Sequence, residues 1–271
     1  MRIAALYDIH ANLPALEAVL TELRRERVDE IVVGGDVLPG PMPCETLALL
    51  SSLQVPVKFI HGNGELAVLA QIDATDPSSV TYWGTTSGNP PPESVKETLR
   101  WTAAQISSGC GPLPRWPRAY RRTIDVTGPP KGGHYEPGRA AGEVLFCHAT
   151  PHSETDCFTR LTREAALAPV FSGVGAGMVV CGHTHMQFDR IVAGVRVVNA
   201  GSVGMPFGKP GADWLILGPA VELRHTAYDL DEAAAQVRAT TYPDAREFAA
   251  SIVKPPAEQT MLDIFTALSF P

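Results

Sequence analysis

The chain is expected to fold as an α/β protein with two mixed β-sheets flanked by helices, and three observations point there. Early apolar runs alternate with helix-period segments, the pattern of β-α-β units with short crossovers and parallel strands. Later runs come in pairs around glycine, the pattern of antiparallel hairpins. The apolar fraction is 45% over 271 residues, enough for a substantial core, and the chain reads as a single domain, 1–271.

Taken in order, the first run, Ile3 to Leu6, delivers Asp8 and His10. One residue apart on extended backbone, these two face the same side. A helix follows: Asn12 suits its N-cap, Pro14 its first turn, and Leu13, Leu16, Leu20 and Leu23 one apolar face. Arg24, Arg25 and Arg27 are expected in its last turn, where positive charge suits the helix dipole. The run Ile31-Val-Val-Gly-Gly-Asp36 comes next, then a Pro/Gly-rich loop over 37–43 and a helix over 44–53. A strand over 55–60 runs into His61-Gly-Asn-Gly-Glu65, and 66–71 begins another helix.

The pattern changes over 73–142, which reads as a cap or insertion carried by the core. It holds one helix, 93–107, and one strand, 120–126, between glycine- and proline-rich stretches, too little for an independent core. The run Val144-Leu-Phe-Cys-His148 resumes the earlier pattern. A helix over 162–170 leads to Met178-Val-Val-Cys-Gly-His-Thr-His185. Hairpins are expected at 188–198 and 214–225, a glycine-rich loop at 199–206, and helices at 231–238, 244–253 and 261–268.

The totals exclude some functions. A net charge of −7 argues against a binder of nucleic-acid backbones in general, though a metal can supply positive charge locally for a small phosphorylated substrate. No apolar stretch nears the ~20 residues of a membrane-spanning helix. The start is too short in apolar residues for a signal-peptide core, so a cytoplasmic location is expected. The five cysteines form no Cys-x-x-Cys pair, and Cys147 and Cys181 lie in apolar runs, so buried free thiols are expected rather than disulfides.

Five β-like runs thus end in Asp8, His10, Asp36, Asn63, His148, His183 and His185. Singly, each reads as a turn, cap or hydrogen-bonded structural residue. Together, at the carboxyl ends of strands, they suit two metal ions sharing a carboxylate. Oxygen donors mixed with several imidazoles favour two divalent transition metals, manganese first, with iron, zinc or nickel as alternatives.

The order Asp-x-His, Gly-Asp, Gly-Asn, His and Gly-His-x-His resembles that of the calcineurin-like metallophosphoesterase superfamily, in particular its small bacterial phosphodiesterase-type members. The resemblance spans Asp8 to His185, and the loop over 199–206 shares it. It implies a four-layer α-β-β-α sandwich. It implies that Asp8, His10 and His185 hold one ion, that Asn63, His148 and His183 hold the other, and that Asp36 bridges them. The implied activity is hydrolysis of a small phosphorylated, nucleotide-like substrate by a hydroxide between the metals. Phosphomonoesterase or protein phosphatase activity is the alternative within enzymes. A non-catalytic scaffold or an oligomer of the same fold also occurs among such proteins.

One position departs from the pattern. Many members carry Gly-Asn-His, whose imidazole helps protonate the leaving group, but here Gly64 follows Asn63. A good leaving group tolerates that loss, so a diester is favoured over a monoester. His61 and His152 are the remaining candidates to supply a proton, and His152 and Ser202 to touch substrate. His134 and His225 read as surface residues, and Arg115, Arg118, Arg121 and Arg122 as a solvated basic face.

Overall fold

The computed structural model describes residues 1–72, 92–110, 121–125 and 142–270, the stretch 121–125 by its backbone alone. The first sheet has the order β10-β9-β1-β2-β3, built from β1 (Ile3–Leu6), β2 (Glu30–Val33), β3 (Val57–Phe59), β9 (Ala212–Leu217) and β10 (Val221–Thr226). The second has the order β4-β5-β6-β8-β7, from β4 (Arg121–Asp125), β5 (Glu143–Cys147), β6 (Met178–Cys181), β7 (Phe188–Val192) and β8 (Val195–Asn199). Both are mixed: β1 to β3 and β5, β6 and β8 run parallel, while β9, β10, β4 and β7 pair antiparallel.

Strand periodicity explains the layering. In β1 and β2, Ala4, Leu6, Ile31 and Val33 turn outward to α1 (Leu13–Leu23), α2 (Pro43–Ser51), α3 (Asn63–Ile72) and α4 (Glu93–Gly109). Their alternates Ile3, Ala5, Tyr7 and Val32 turn inward against Val144, Phe146, Val180 and Val198 of the second sheet. That sheet's far face buries Leu145, Val179 and Val197 against Leu167 and Phe171 of α5 (Glu164–Phe171). The result is the expected helix–sheet–sheet–helix sandwich. Two further helices, α6 (Leu230–Arg238) and α7 (Ala245–Val253), pack on each other, and α8 (Glu258–Ala267) covers Cys157 and Met186.

Several local expectations shift. Helix α1 keeps its Asn12 cap, which accepts from the Ala15 N–H, but ends at Leu23, so the arginines lie beyond its last turn. Helix α3 starts at Asn63 rather than 66, which puts a site residue in its first turn. In the described pieces of 73–142, α4 buries Leu99, Ala103 and Ile106 in the first core, and β4 is an edge strand of the second sheet. Cys147 and Cys181 are buried free thiols as expected, and so is Cys157, whereas Cys44 and Cys110 form a disulfide that was not foreseen. The bridge closes 66 residues of sequence and ties the start of α2 to the end of α4, so nothing local in the sequence signals it. His225 is half-buried and lies 2.7 Å from Asp213 rather than standing free on the surface. Arg115, Arg118 and His134 lie outside the described residues, as do the side chains of Arg121 and Arg122. No helix among the described residues is long and apolar enough to cross a membrane.

Candidate metal centre

The seven residues meet where the carboxyl ends of strands from both sheets abut. Asp8 and His10 follow β1, Asp36 follows β2, Asn63 follows β3, His148 follows β5, and His183 and His185 follow β6. Ligand atoms of Asp8, His10 and His185 lie within 4.8 Å of one another, and so do those of Asp36, His148 and His183. His10 Nε2 is 3.1 Å from His185 Nε2, and His185 Nε2 is 3.3 Å from Asp8 Oδ1. In the other group, His148 Nε2 stands 3.1 Å from Asn63 Oδ1 and 3.5 Å from Asp36 Oδ1. It is 3.9 Å from Asp8 Oδ1, so the two groups are contiguous.

The backbone is bent to achieve this. Asp8, His10, Asp36, His183 and His185 all have positive φ, between 46° and 66°. That region is unfavourable for residues other than glycine and persists only where surroundings enforce it. Here they do. The Asp8 and His10 N–H groups donate to the Gly35 and Asp36 carbonyls, and the loop over 199–206 clamps the same turn from the other side. Val203 and Gly204 donate to the Tyr7 and Asp8 carbonyls, and a side chain at Gly204 would collide with the Ile9 carbonyl.

Glu65, which the sequence pattern did not single out, holds the second group. Its buried carboxylate accepts from the backbone N–H of Asp36, Leu38 and Gly62, so one side chain joins the two loops that carry Asp36 and Asn63. The signal was present as an acid two residues past Asn63, but an acid in a helix's first turn ordinarily reads as a dipole partner. Gly64 has a structural reason as well. Its N–H donates to Asp36 Oδ1, and a Cβ there would lie 2.0 Å from the Leu38 carbonyl oxygen, so this backbone has no room for an imidazole at that position.

The weaker candidates fall away from the centre or are already engaged. Ser202 was expected to reach substrate, but its buried hydroxyl donates to the Asp8 carbonyl and accepts from the Met205 N–H. His152 is exposed on a turn organised by Thr150, and His61 is buried in the turn before Asn63. Neither lines the cavity that opens at His10 and His185.

The electrostatics fit metal ions. Asp8, Asp36 and Glu65 are 0%, 4% and 1% exposed, and none pairs with Lys or Arg among the described residues. Buried carboxylates without a cation are strongly unfavourable. Burial and the Asp8 charge push the Asp36 carboxyl well above its usual range. Burial also opposes ionisation of Asp8, but the neighbouring imidazoles of His185, His148 and His10 bring it below that range. Burial lowers His10 and His183 to about 3, which leaves them neutral with a lone pair to give. His148 Nδ1 and His185 Nδ1 lie 2.9 Å from the Gly34 and Met205 carbonyl oxygens. A carbonyl only accepts, so Nδ1 carries the proton and Nε2 offers its lone pair to the centre. Finally, Asp8 Oδ1 is buried without a hydrogen-bond partner.

Comparison with known proteins bears on the fold and the family. The chain aligns over 94% of its length with the whole of a metallophosphoesterase structure from Sphaerobacter thermophilus, at 23% identity and a TM-score of 0.64. A hypothetical protein from Pyrococcus horikoshii matches 94% of this chain and 99% of its own, at 18% identity and a TM-score of 0.69. At such identities the likeness is one of fold. No curated protein matches the sequence. The family model for calcineurin-like phosphoesterases matches residues 1–187, and the chain therefore belongs to the calcineurin-like phosphoesterase family.

Proposed function

We propose that the protein hydrolyses phosphodiesters at a centre that binds two divalent transition-metal ions, manganese foremost. Asp8, His10 and His185 would hold one ion, Asn63, His148 and His183 the other, and Asp36 both. The observation that carries this reading is a buried set of four imidazoles, an amide and two carboxylates with no Lys or Arg among the described residues to neutralise it. When bound, the two ions supply Lewis acidity toward a phosphoryl oxygen and lower the pKa of water to about 7.

The chain's own residues supply position. The carbonyls of Gly34 and Met205 hold the His148 and His185 rings, and Glu65 and the loop over 199–206 hold the ligand turns at fixed spacing. Pre-organisation of this kind avoids rearrangement during the reaction. The Gly64 position supports a diester with a good leaving group, since no imidazole stands there to deliver a proton and none can fit.

The test compares bis-p-nitrophenyl phosphate with p-nitrophenyl phosphate, on protein stripped with chelator and then given Mn²⁺. Diester turnover well above monoester turnover, lost with chelator, is expected. A monoester preference would overturn the diester reading, and no turnover by protein with both ions bound would favour a scaffold.

A further inference from the structure

A cavity of about 220 Å³ opens directly beside His10 and His185, and its walls select what can lie next to the phosphate. One wall comes from Val95 and Thr98 of α4, the other from α7 and the residues just before it. The cavity is below the roughly 300–1,000 Å³ usual for drug-sized ligands, so it suits a short substituent.

Its chemistry is unusual for a site that receives phosphate. Among the described residues no Lys or Arg lines it, and its charged side chains are Asp244 and Glu247. Neither carboxylate has a hydrogen bond or ion pair within the described structure. Asp244 occupies the N-cap of α7 yet caps none of its N–H groups, which leaves its carboxylate free for the cavity. Burial, Glu247 and Glu97 all raise the Asp244 pKa, as unneutralised neighbouring carboxylates do. Two aromatic walls meet beside these acids. Tyr242 and Phe248 lie perpendicular with centroids 6.1 Å apart, and Trp101 backs Tyr242 edge-on at 5.3 Å. Aromatic faces with nearby carboxylates are the surroundings in which organic ammonium groups bind.

We infer that the preferred substrate, within the phosphodiesterase reading on which this rests, is a diester of a short alcohol bearing an ammonium group. The phosphate of such a zwitterion faces the metal centre, and its cationic end sits between Tyr242, Phe248, Asp244 and Glu247. A substituent carrying further phosphates would instead meet Asp244 and Glu247 and be repelled, which sets this reading against a nucleotide polyphosphate.

The experiment uses p-nitrophenyl phosphocholine, its neutral isostere p-nitrophenyl 3,3-dimethylbutyl phosphate, and the p-nitrophenyl ester of thymidine 5′-phosphate, with Mn²⁺-loaded protein. The choline ester should exceed the isostere in kcat/KM by about 10-fold, mainly through KM, the scale of a desolvated cation–π contact. The Asp244→Asn, Glu247→Gln double variant should bring that ratio close to one. Equal turnover of the two esters, a ratio untouched by the double variant, or preference for the thymidine ester would overturn the inference. Turnover of none of the three would instead refute the phosphodiesterase reading. Calorimetric titration with phosphocholine and 3,3-dimethylbutyl phosphate then decides the pocket by itself: tighter binding of phosphocholine, lost in the double variant, supports it, and equal or absent binding sinks it.

Discussion

The two halves of the candidate metal centre each combine a carboxylate with two imidazoles, Asn63 joining only the second, and they differ in what surrounds them. The half with Asp8, His10 and His185 faces the cavity, and its His185 ring stacks on Phe207 at 5.2 Å. The half with Asp36, Asn63, His148 and His183 does not line that cavity. Glu65 ties its loops together, Gly34 holds His148, and Cys157 Sγ sits 3.6 Å from His183 Nε2. One half thus borders a cavity, and the other is held by contacts among its own loops. Each half draws on both sheets, so the centre exists only when the inner core between them is packed.

Asp36 is the residue the two halves share, and changing it should have the largest effect. Asp36→Asn keeps an acceptor for the Gly64 N–H but removes a buried negative charge. We expect diester hydrolysis to fall by at least about 10³-fold. The metal-free variant should melt higher than metal-free wild type at neutral pH, because the repulsion with Asp8 is gone. Loss of activity with lower metal-free stability would show that Asp36 is structural first.

Glu65→Ala breaks the closed half by its support rather than its ligands. Three buried N–H groups lose their acceptor. At about 1–3 kcal/mol for each such group, a destabilisation of about 3–5 kcal/mol is expected in chemical denaturation, with Glu65→Gln in between. A loss under about 1 kcal/mol would mean that water replaces the carboxylate and that the closed half is wetter than the structure indicates.

The Cys44–Cys110 bridge bears on the open half, since it anchors α4, whose Val95 and Thr98 line the cavity. Replacing both cysteines by serine should lower stability by about 2–4 kcal/mol through the loop that the bridge closes. It should raise KM while leaving metal affinity unchanged. A fall in metal affinity as large as the change in KM would show that the two halves are not separable in this way.

This division also marks what was legible in the sequence. That the seven candidate residues come together could be read because each ends an apolar run, and strand ends at a sheet's carboxyl edge converge whatever the loops between them do. The two mixed sheets were legible because strands alternate with helices early in the chain and pair as hairpins late. What could not be read depends on contacts between residues far apart in sequence. Ser202 was a candidate substrate contact through its hydroxyl, and that hydroxyl donates to the Asp8 carbonyl, 194 residues away. The disulfide lies across a segment whose periodicity is weak. The left-handed turns at Asp8 and His10 carry no glycine to announce them, since the tertiary clamp rather than local preference enforces them. The cavity walls come from α4 and α7, two helices with no motif to connect them to the centre.

The smallest effects should come from the groups that touch one imidazole in each half, and these separate the halves most cleanly. Phe207 stacks on His185 at an interplanar angle of 19°, and is itself backed by Phe265 of α8. Phe207→Ala removes that support without removing a ligand. Groups that orient metal-binding imidazoles typically contribute 10–100-fold in affinity, and a stacking contact belongs at the lower end, about 10-fold. Cys157→Ala does the equivalent to His183. In a calorimetric Mn²⁺ titration resolving two ions, each variant should weaken one ion and spare the other, and the two variants should affect different ions. Only Phe207→Ala should also alter KM for the diester, because only its histidine faces the cavity. Equal weakening of both ions by either variant would mean that the shared carboxylate couples the halves so tightly that they bind as one unit, and the contrast between an open and a closed half would then describe access alone.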